Sequence, residues 1–595
     1  MNIKPISFYN NSINKVQAEI SRLTLKSKWI SRVRLLLFIL GGAFLYNLWG
    51  HWFYLIPLLI VIAILFLFFV KYNDHTDEEL QINQNLKMIN ENEINHLNYK
   101  YQYKYDGSEY MKSLRLESND LDLFGPGSLF QFINRGISDQ GKLSLAKSLI
   151  AEHVKEEIEE RQDAIKELSS WTEWRQLFLA RQMNHPLTNT SQEILINWTK
   201  KTEFIRSISV FKFLGIILPI LSIGIVWLYG LSKMSDQWFT ISVLFILMIQ
   251  GYLAYLASKK FKILGKISSE LKSLSPCLQV IESKTFTSTF LKELASTVKS
   301  PIASKSIQSL TDLLSKYDYR LNPVVFIPLN FLTWFDIQLM IRLDRWQKDF
   351  NGNINQWYHA LSEFEMLSSY ATLAFNNPSW VYPELSDDWY TFDAKALGHP
   401  LIHAEKIVTN DFSQISPNHL ALITGSNMAG KSTFLRSIGA NMILAKAGSP
   451  VCALQMNWSA GKCLTSMRIS DNLQEETSTF YAELKKIKIM LDAINSGEKV
   501  ILLIDEMLRG TNTEDRKMGV HGFIKQLLAR KAVGIIASHD TGIYEFSNAY
   551  PDQVFAYFFD SFIEHDQLKF DYKIKSGTVS SANASYLMRK IGIDI

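Results

Sequence analysis

The chain has 595 residues, too many for a single hydrophobic core, so we expect roughly three to five structural units. Lysine and arginine number 62 against 58 aspartates and glutamates, and an excess of four at this length does not by itself indicate a nucleic-acid-binding protein. The cysteines Cys277, Cys452 and Cys463 have no paired spacing, which argues against a disulfide framework or a zinc site.

The first apolar region follows a polar N-terminal segment, residues 1–32, in which leucine and isoleucine recur at helical spacing. We predict a cytoplasmic helix for this segment. Residues 33–71 are then almost wholly apolar, and residues 52–70 hold no charge over about the length of helix that crosses a bilayer. The Gly50–His51 pair between the two halves indicates a tight turn. Residues 33–71 are therefore predicted to form a transmembrane helical hairpin.

A second pair of apolar segments lies at residues 211–258. The segments 213–231 and 238–257 are each long enough to cross a bilayer, and the linker SKMSDQ separates them. Lysines and arginines flank both hairpins, whereas the two short turns hold a single lysine between them. The positive-inside bias then predicts that both turns face outward and that the rest of the chain is cytoplasmic. We expect a multi-pass protein of the cell (inner) membrane, with the lipid bilayer as a partner.

The remaining segments have two different patterns. Residues 72–210 and 259–390 are helix-rich, with apolar residues recurring at intervals of three and four as in amphipathic helices. Residues 391–595 alternate short β-rich runs with helices, the pattern of a parallel α/β sheet. We therefore predict a multidomain fold, in which all-α core or lever helices with two transmembrane helical hairpins precede an α/β domain with a mainly parallel sheet.

The strongest motif of the chain lies between an apolar strand at residues 420–423 and a helix that runs from Thr433 to Ala445. It fits the phosphate-loop (Walker A) pattern G-x-x-x-x-G-K-[ST] with the residues Gly425, Ser426, Asn427, Met428, Ala429, Gly430, Lys431 and Ser432. The backbone N–H groups of such a loop and the following helix N-terminus surround phosphate. We therefore predict a P-loop domain that binds ATP, with Lys431 at the β- and γ-phosphates, Ser432 on Mg²⁺ and Thr433 completing the nucleotide-binding set.

Two further strand ends carry candidate catalytic residues. The apolar strand at residues 500–504 is followed by Asp505 and Glu506, and the strand at residues 534–538 is followed by His539. Because ligands of α/β sheets bind at the carboxyl ends of the strands, these side chains are expected beside the phosphate loop. We assign Asp505 to the Mg²⁺ shell, Glu506 to polarising the attacking water and His539 to sensing the γ-phosphate. The alternative for His539 is a structural role in capping the strand end.

Together these motifs resemble those of the MutS family of DNA mismatch-repair ATPases. The segment from Thr424 to Thr433 looks like the phosphate loop of that family, in which the Asn427-Met428 pair is distinctive. Further resemblances lie at Gly398-His399-Pro400, Ser478-Thr479-Phe480 with Glu483, Asp505 to Thr513, Ser538-His539, and Lys575 to Gly577 with Ser585-Tyr586. The resemblance extends upstream more weakly, into the core helices, and covers about residues 110–200 and 260–595 in all. The resemblance implies an ATPase that works as a homodimer, in which Ser478 contacts the nucleotide of the partner subunit.

The chain also departs from the family pattern. The family usually has proline at the position of Ser426, and glycine at the positions of Ala429 and Leu508. We find no counterpart of the mismatch-reading domain, and the second apolar hairpin falls where the family has its DNA-gripping clamp. We infer that membrane helices have replaced both DNA-contacting parts. DNA is thus a partner that the resemblance implies and the composition does not support.

The predicted organisation has six parts. They are an N-terminal cytoplasmic helix, a transmembrane hairpin, the first MutS-like core helices, a transmembrane hairpin in place of the clamp, the returning core helices and a MutS-type P-loop ATPase domain, at residues 1–32, 33–71, 72–210, 211–258, 259–390 and 391–595. The predicted function is a membrane-anchored MutS-like ATPase, whose composite dimer sites hydrolyse ATP to drive a conformational change. The alternatives are a soluble-type DNA-binding mismatch-repair factor and an ABC-like transport ATPase, although the Leu-Ser-Gly-Gly-Gln signature of the latter is missing.

Overall fold

The structure, a computed structural model, describes residues 4–578 apart from residues 103, 114–119, 201–207, 415–418, 427, 468–478, 509–510 and 565–566. The chain divides into two compact units. The first unit comprises Met1–Glu93, Gly136–Lys142 and Glu173–Glu365, and the second comprises Ile94–Arg135, Leu143–Thr172 and Met366–Ile595. The fold is rich in helix, and all the described strands lie in the second unit.

The helices, in chain order, are α1 Pro5–Asn47, α2 Trp52–Leu97, α3 Leu129–Ile133, α4 Asp139–Ile150, α5 Lys155–Ser169, α6 Thr172–Met183, α7 Asn189–Lys200, α8 Ile208–Gly230, α9 Asp236–Gly265, α10 Ser268–Glu282, α11 Thr289–Lys299, α12 Ala303–Tyr317, α13 Pro323–Thr333, α14 Phe335–Phe350, α15 Ile354–Asn376, α16 Lys431–Lys446, α17 Thr479–Asn495, α18 Thr513–Ala529 and α19 Glu545–Ala549. Short 3₁₀ helices span Ser108–Ser113, Asp318–Leu321 and Thr541–Tyr544. The strands are β1 Glu384–Leu385, β2 Phe392–Leu397, β3 Asn410–Gln414, β4 Leu420–Gly425, β5 Gln455–Trp458, β6 Lys462–Ser466, β7 Val500–Asp505, β8 Val533–Ser538, β9 Val554–Glu564 and β10 Gln567–Ser576.

Helices α1 and α2 run antiparallel and pack along each other in the first unit. The turn between them lies at residues 48–51, where Gly50 has a φ of 91°. The Ser27 hydroxyl donates a hydrogen bond to Asp77 at 2.9 Å, well outside the apolar stretches. Helix α1 runs without a break across the predicted boundary at residues 32–33, and α2 does so at residues 71–72. The polar segments beyond these boundaries consist mainly of residues that tolerate helix. The hairpin is therefore longer than its apolar part.

Four of the described helices are long and apolar enough to cross a membrane, namely Pro5–Asn47, Trp52–Leu97, Lys212–Gly230 and Asp236–Lys259. In the most apolar stretch of each helix, 6%, 6%, 11% and 17% of the residues are buried inside the protein. Phe38, Phe53 and Phe213 are accordingly 73%, 85% and 64% exposed. The core of a soluble protein would bury such side chains, so these apolar surfaces are unlike those of ordinary core helices.

The second unit contains a mixed sheet of six strands in the order β10-β9-β4-β8-β7-β6. Strands β9, β4, β8, β7 and β6 are parallel to their neighbours, and β10 is antiparallel to β9. Every residue of β7 and β8 is buried, which explains why both strands are continuous apolar runs in the sequence. A smaller sheet has the order β1-β5-β2-β3.

Candidate functional site

The loop that leads from β4 into α16 contains two glycines that its geometry requires. Gly425 has a φ of 150°, and a Cβ atom there would lie 2.7 Å from the backbone oxygen of Phe559. Gly430 has a φ of 108°, and a Cβ atom there would lie 3.1 Å from a ring carbon of Tyr572. Side chains at these two positions would fill the space around the loop and strain its backbone. The glycines of the motif therefore permit a close approach of the backbone to neighbours and to a ligand.

The residues between these glycines differ in exposure. Ser426 and Met428 are exposed, and Met428 has a left-handed φ of 71°. Ala429 is fully buried, and its N–H donates a hydrogen bond to the Ser426 carbonyl at 3.3 Å. Asn427 lies outside the described residues. When right-handed and left-handed backbone conformations alternate along a loop, successive N–H groups point into one concave surface, and such a surface binds anions.

Lys431 is the first residue of α16, and its side chain folds back over the loop. Its Nζ atom donates hydrogen bonds to the carbonyl oxygens of Gly425 at 2.7 Å and of Ser426 at 3.0 Å. The residue is 5% exposed, so the positive charge is held at the helix N-terminus in a largely buried position. Ser432 is half-buried and Thr433 is exposed in the same first turn. The ammonium group and the helix N-terminus together favour an anionic ligand.

The sheet register brings the acidic strand to the same edge as the loop. Strand β8 separates β4 from β7, and it pairs Thr424 with Ser538 on one side and Ala537 with Asp505 on the other. The carboxyl ends of the three strands are therefore level. Asp505 is buried at this edge. A buried carboxylate and the half-buried hydroxyl of Ser432 are oxygen ligands of the kind that Mg²⁺ prefers, so the predicted metal-binding residues fit that ion.

Glu506 and His539 are brought together immediately beyond these strands. Glu506 has a left-handed φ of 52°, and its N–H donates a hydrogen bond to the Ala537 carbonyl at 2.9 Å. The Oε1 atom of Glu506 lies 3.4 Å from the Nδ1 atom of His539. The Glu506 side chain is 16% exposed and the His539 side chain is 46% exposed. The pair can thus hold a water molecule or a phosphate oxygen that approaches from solvent.

Leu508 occupies a position at which the resembling family usually has glycine, and its backbone has the matching left-handed φ of 55°. The side chain is nevertheless 5% exposed. A Cβ atom on Gly519 of α18 would collide with the Cδ1 atom of Leu508. The absence of a side chain at Gly519 therefore provides the space into which Leu508 packs. The Leu508 side chain is thus accommodated in the protein interior although its backbone is left-handed.

A cavity of about 180 Å³ lies beside the loop within the second unit. Its walls are mainly apolar and aromatic, and they are formed by Leu397, Ile402, Lys406, Val408, Asn410, Gly430, Thr433, Phe434, Ser437, Phe559 and Tyr572. The Asn410 amide is held in place, since it donates to the Tyr572 carbonyl at 3.0 Å and accepts from the Ile574 N–H at 2.9 Å. The lining suits a flat aromatic base attached to a phosphate group in the loop. Apart from Gly430 and Thr433 of the phosphate loop, no sequence motif indicated these residues, because they come from separate strands and loops.

His399, in the predicted start of this domain, is buried near the loop helix α16. Its Nδ1 atom accepts a hydrogen bond from the Leu401 N–H at 3.2 Å. Burial lowers the pKa of His399 to about 4; the Asp122 carboxylate opposes this shift and the Arg436 guanidinium adds to it. His399 is therefore neutral at physiological pH and serves as a hydrogen-bond acceptor.

Asp120 is a buried carboxylate that sequence reasoning missed. It is fully buried and accepts hydrogen bonds from the Thr465 hydroxyl at 2.8 Å and from the Met467 N–H at 3.1 Å. The Lys486 ammonium of α17 lies 3.2 Å away. These contacts tie the end of β6 to α17, on the two sides of residues 468–478. The predicted partner-site residue Ser478 lies outside the described residues, as do Arg509 and Gly510.

Comparison with known proteins agrees with this description. The family "MutS domain V" matches residues 421–592. The chain is 31% identical to human MutS protein homolog 4 over 232 residues, which are 38% of this chain and 24% of the relative. It is 35% identical to the DNA mismatch repair protein MutS of Ehrlichia chaffeensis over 184 residues, 30% of this chain and 22% of the relative. It is 29% identical to the DNA mismatch repair protein MSH3 of Arabidopsis thaliana over 253 residues, 40% of this chain and 23% of the relative.

The matched segment is thus a MutS domain V. The chain is accordingly a divergent MutS-family protein, and the relationship is demonstrated for part of its length. The aligned region spans about a quarter of the length of the curated relatives.

Proposed function

We propose that the second unit binds ATP with Mg²⁺ and hydrolyses it, and that the chain is a membrane-anchored MutS-type ATPase. The observation that carries this proposal is the shared sheet edge, where the glycine loop, Lys431, Asp505 and the Glu506–His539 pair meet. A phosphate-binding loop alone would support nucleotide binding but not hydrolysis. The acidic residues at the end of a neighbouring strand add the groups that hydrolysis requires.

Each residue has a distinct role in this proposal. The loop N–H groups and Lys431 bind the phosphates and stabilise the charge that develops on them. The Ser432 hydroxyl and the Asp505 carboxylate would hold Mg²⁺, and the bound ion would neutralise part of the phosphate charge. Glu506 orients the attacking water and accepts its proton. His539, at ion-pair distance, orients the Glu506 carboxylate and responds to the presence of the terminal phosphate.

The proposed ATPase is a homodimer with composite sites, each completed by Ser478 of the other subunit. This part of the proposal rests on the resemblance of Ser478-Thr479-Phe480 to the signature segment of the family. The dimer would couple the nucleotide state to movement of the helical core. The names of its relatives suggest mismatch repair as the related process. DNA is therefore a candidate ligand, although the small net charge of the chain does not support DNA binding.

The proposed location is the cell (inner) membrane, with α1–α2 and α8–α9 as two hairpins and the ATPase unit in the cytoplasm. The outward-facing apolar side chains of these four helices support this location over a soluble repair factor. The basic residues beside the open ends of the hairpins support the cytoplasmic assignment. An ABC-like transporter is not favoured by any contact in the described residues.

The first experiment measures the ATPase rate of the full-length protein in lipid nanodiscs. Lys431→Ala is expected to abolish hydrolysis, whereas Lys525→Ala, which removes an exposed lysine of α18, is expected to leave it unchanged. Unchanged turnover in Lys431→Ala would show that the loop is misassigned. Duplex DNA is added at low and at physiological salt. A salt-sensitive stimulation would indicate a DNA-gripping core, and indifference to DNA would indicate a membrane task.

A mixing experiment tests the composite sites. Ser478→Ala and Lys431→Ala proteins should each be inactive. A mixed dimer would combine both changes in one site and leave the other site intact, so mixing is expected to restore part of the activity. Absence of any recovery, in mixtures shown to exchange subunits, would contradict composite sites.

A further inference from the structure

The first unit contains a short apolar helix that is not one of the four long apolar helices. Helix α13 has eleven residues, Pro323–Thr333, and none of them is charged. It falls within residues 259–390, which were predicted to form core helices. One face of it is nevertheless exposed, since Val324 is 83% exposed and Ile327 is 55% exposed. In water, an apolar helix face of this kind would be unfavourable.

Helix α13 packs on the second apolar hairpin. The Gln250 side chain of α9 donates a hydrogen bond to the Asn330 carbonyl at 2.7 Å. The Trp334 indole N–H, just after α13, donates to the Ser222 hydroxyl of α8 at 2.8 Å. Around them, a buried apolar cluster joins Ile246, Leu253, Trp334, Ile337 and Ile341. The exposed face of α13 is therefore continuous with the exposed faces of α8 and α9.

The contacts that α13 makes along α9 indicate how far α13 would reach into the bilayer. Tyr317, which precedes α13, stacks on Phe261 with ring centroids 4.1 Å apart, at the basic end of α9. Gln250, which contacts the other end of α13, is separated from Phe261 by about 16 Å of helix. The length of α13 itself is also about 16 Å. This is roughly half of the 30 Å hydrocarbon core, so α13 spans one leaflet from the basic end inward.

The chain then reverses at Trp334 and returns. Trp334 has a left-handed φ of 51°, and its N–H donates to the Asn330 carbonyl at 2.9 Å. The Asp336 N–H donates to the Asn330 side chain at 3.1 Å. In α14, the Gln338 side chain donates to the Gly215 carbonyl at 2.6 Å, near the basic start of α8. The N–H groups of Trp334 and Asp336 at the break are thus hydrogen-bonded within the protein, as irregular backbone at membrane depth requires.

The charges nearest to this hairpin neutralise each other. Arg320 precedes α13 and forms an ion pair with Asp336 of α14 at 3.2 Å. The guanidinium also lies over the rings of Tyr317 and Phe326, at 4.9 Å and 5.1 Å from their centroids. Asp336 is 2% exposed. A paired and covered charge is compatible with a segment that enters a medium of low dielectric constant.

We propose that α13 and the first turns of α14 form a re-entrant hairpin that enters the cytoplasmic leaflet, with the exposed face of α13 against lipid acyl chains. This inference rests on the proposed membrane anchoring of α8–α9. Lipid is the occupant that fits, because this face continues the exposed apolar surface of α8 and α9 and none of the eleven residues of α13 is charged.

The proposal can be tested by fluorescence quenching in nanodiscs. Single cysteines are introduced by Ile327→Cys on α13, by Ile216→Cys on α8 as a positive control, and by Lys305→Cys on α12 as a water-exposed control. Each is labelled with an NBD group, and doxyl groups on the phospholipid acyl chains serve as the quencher. The three native cysteines are buried, so the unmodified chain provides the labelling blank.

The expected result is a comparable loss of fluorescence at Ile327→Cys and Ile216→Cys, and none at Lys305→Cys. Quenching at Ile216→Cys without quenching at Ile327→Cys would overturn the re-entrant hairpin and leave the membrane anchoring intact. Disulfide formation between Ile327→Cys chains in that case would assign the face to a second copy. No quenching at either Ile327→Cys or Ile216→Cys would overturn the membrane anchoring itself.

Discussion

The Nδ1 atom of His539 lies 3.4 Å from the Oε1 atom of Glu506, although the two residues follow different strands of the sheet. The pairing of β7 with β8 makes their ends level, and the Glu506 N–H donates to the Ala537 carbonyl. The left-handed φ of Glu506 is a conformation that costs about 1–3 kcal/mol for a residue with a side chain. Since such strain is concentrated at functional sites, we infer that the carboxylate position matters for the reaction.

Glu506→Gln is expected to retain ATP binding and to lower kcat by about 10²- to 10⁴-fold, because an amide cannot accept the proton of the attacking water. Binding of a fluorescent ATP analogue and single-turnover hydrolysis measure the two effects separately. Glu514→Gln, at an exposed acid in the first turn of α18, is the matched control and should leave both unchanged. Loss of binding in Glu506→Gln would contradict the water-polarising role.

Gly425→Ala is expected to destabilise the second unit and to weaken nucleotide binding. The new Cβ atom would lie 2.7 Å from the Phe559 carbonyl oxygen at a φ of 150°, and backbone strain of this kind costs of order 1–3 kcal/mol. Gly522→Ala is the matched control, since Gly522 lies in α18 with no atoms within 4 Å of the new methyl group.

The control substitution should change the free energy of unfolding in the opposite direction. Alanine in an exposed helix interior is favoured over glycine by about 0.5–1 kcal/mol, so Gly522→Ala is expected to stabilise. Urea unfolding of the full chain, followed by hydrogen exchange of β4 and α18, distinguishes the two outcomes. Equal effects from both substitutions would show that the loop glycines are not sterically required.

Asp120→Asn is expected to destabilise the junction of β6 and α17 by about 3 kcal/mol. The carboxylate is fully buried against Lys486, and removal of one partner of a buried ion pair leaves a charge without its counterion. Hydrogen exchange of β6 and α17 measures the effect. Asp163→Asn, whose ion pair with Lys166 is exposed, should change stability by less than about 1 kcal/mol. Similar protection in both variants would show that the Asp120 contacts are dispensable.

Linear motifs made the phosphate loop predictable, because its residues are contiguous and each has a fixed chemical role. The turn at Gly50 was predictable for the same reason. The cavity wall formed by Phe559 and Tyr572 was not, since these aromatic residues reach the loop through strand pairing far along the chain. Local periodicity carries no information about such contacts.

Helix α13 shows a second limit of sequence reasoning. Its eleven residues are too few to give a membrane-span signal, and the following residues have helical periodicity, so the whole stretch resembled a core helix. The break at Trp334 depends on the hydrogen bonds that Asn330 accepts and on packing against α8, neither of which a local pattern indicates. Asp120 was missed for a related reason, because its partner Lys486 is far away in sequence.

Stability around His399 is expected to depend on pH between about 4 and 6.5. Burial lowers the pKa of His399 from 6.5 to about 4, so in this range the unfolded state binds more protons than the folded state. The free energy of local opening therefore falls as the pH falls from 6.5 towards 4, by at most about 3 kcal/mol, and is unaffected above this range. Hydrogen exchange of residues 398–402, corrected for the intrinsic pH dependence of exchange, measures the effect.

His399→Asn separates this titration from the structural role of the side chain. Asparagine can accept the N–H of the second residue after it, as the His399 Nδ1 atom does from Leu401, but it does not titrate. The variant is expected to keep its local protection and to lose the pH dependence between 4 and 6.5. If protection in the variant still falls with pH as in the unmodified chain, another group is responsible.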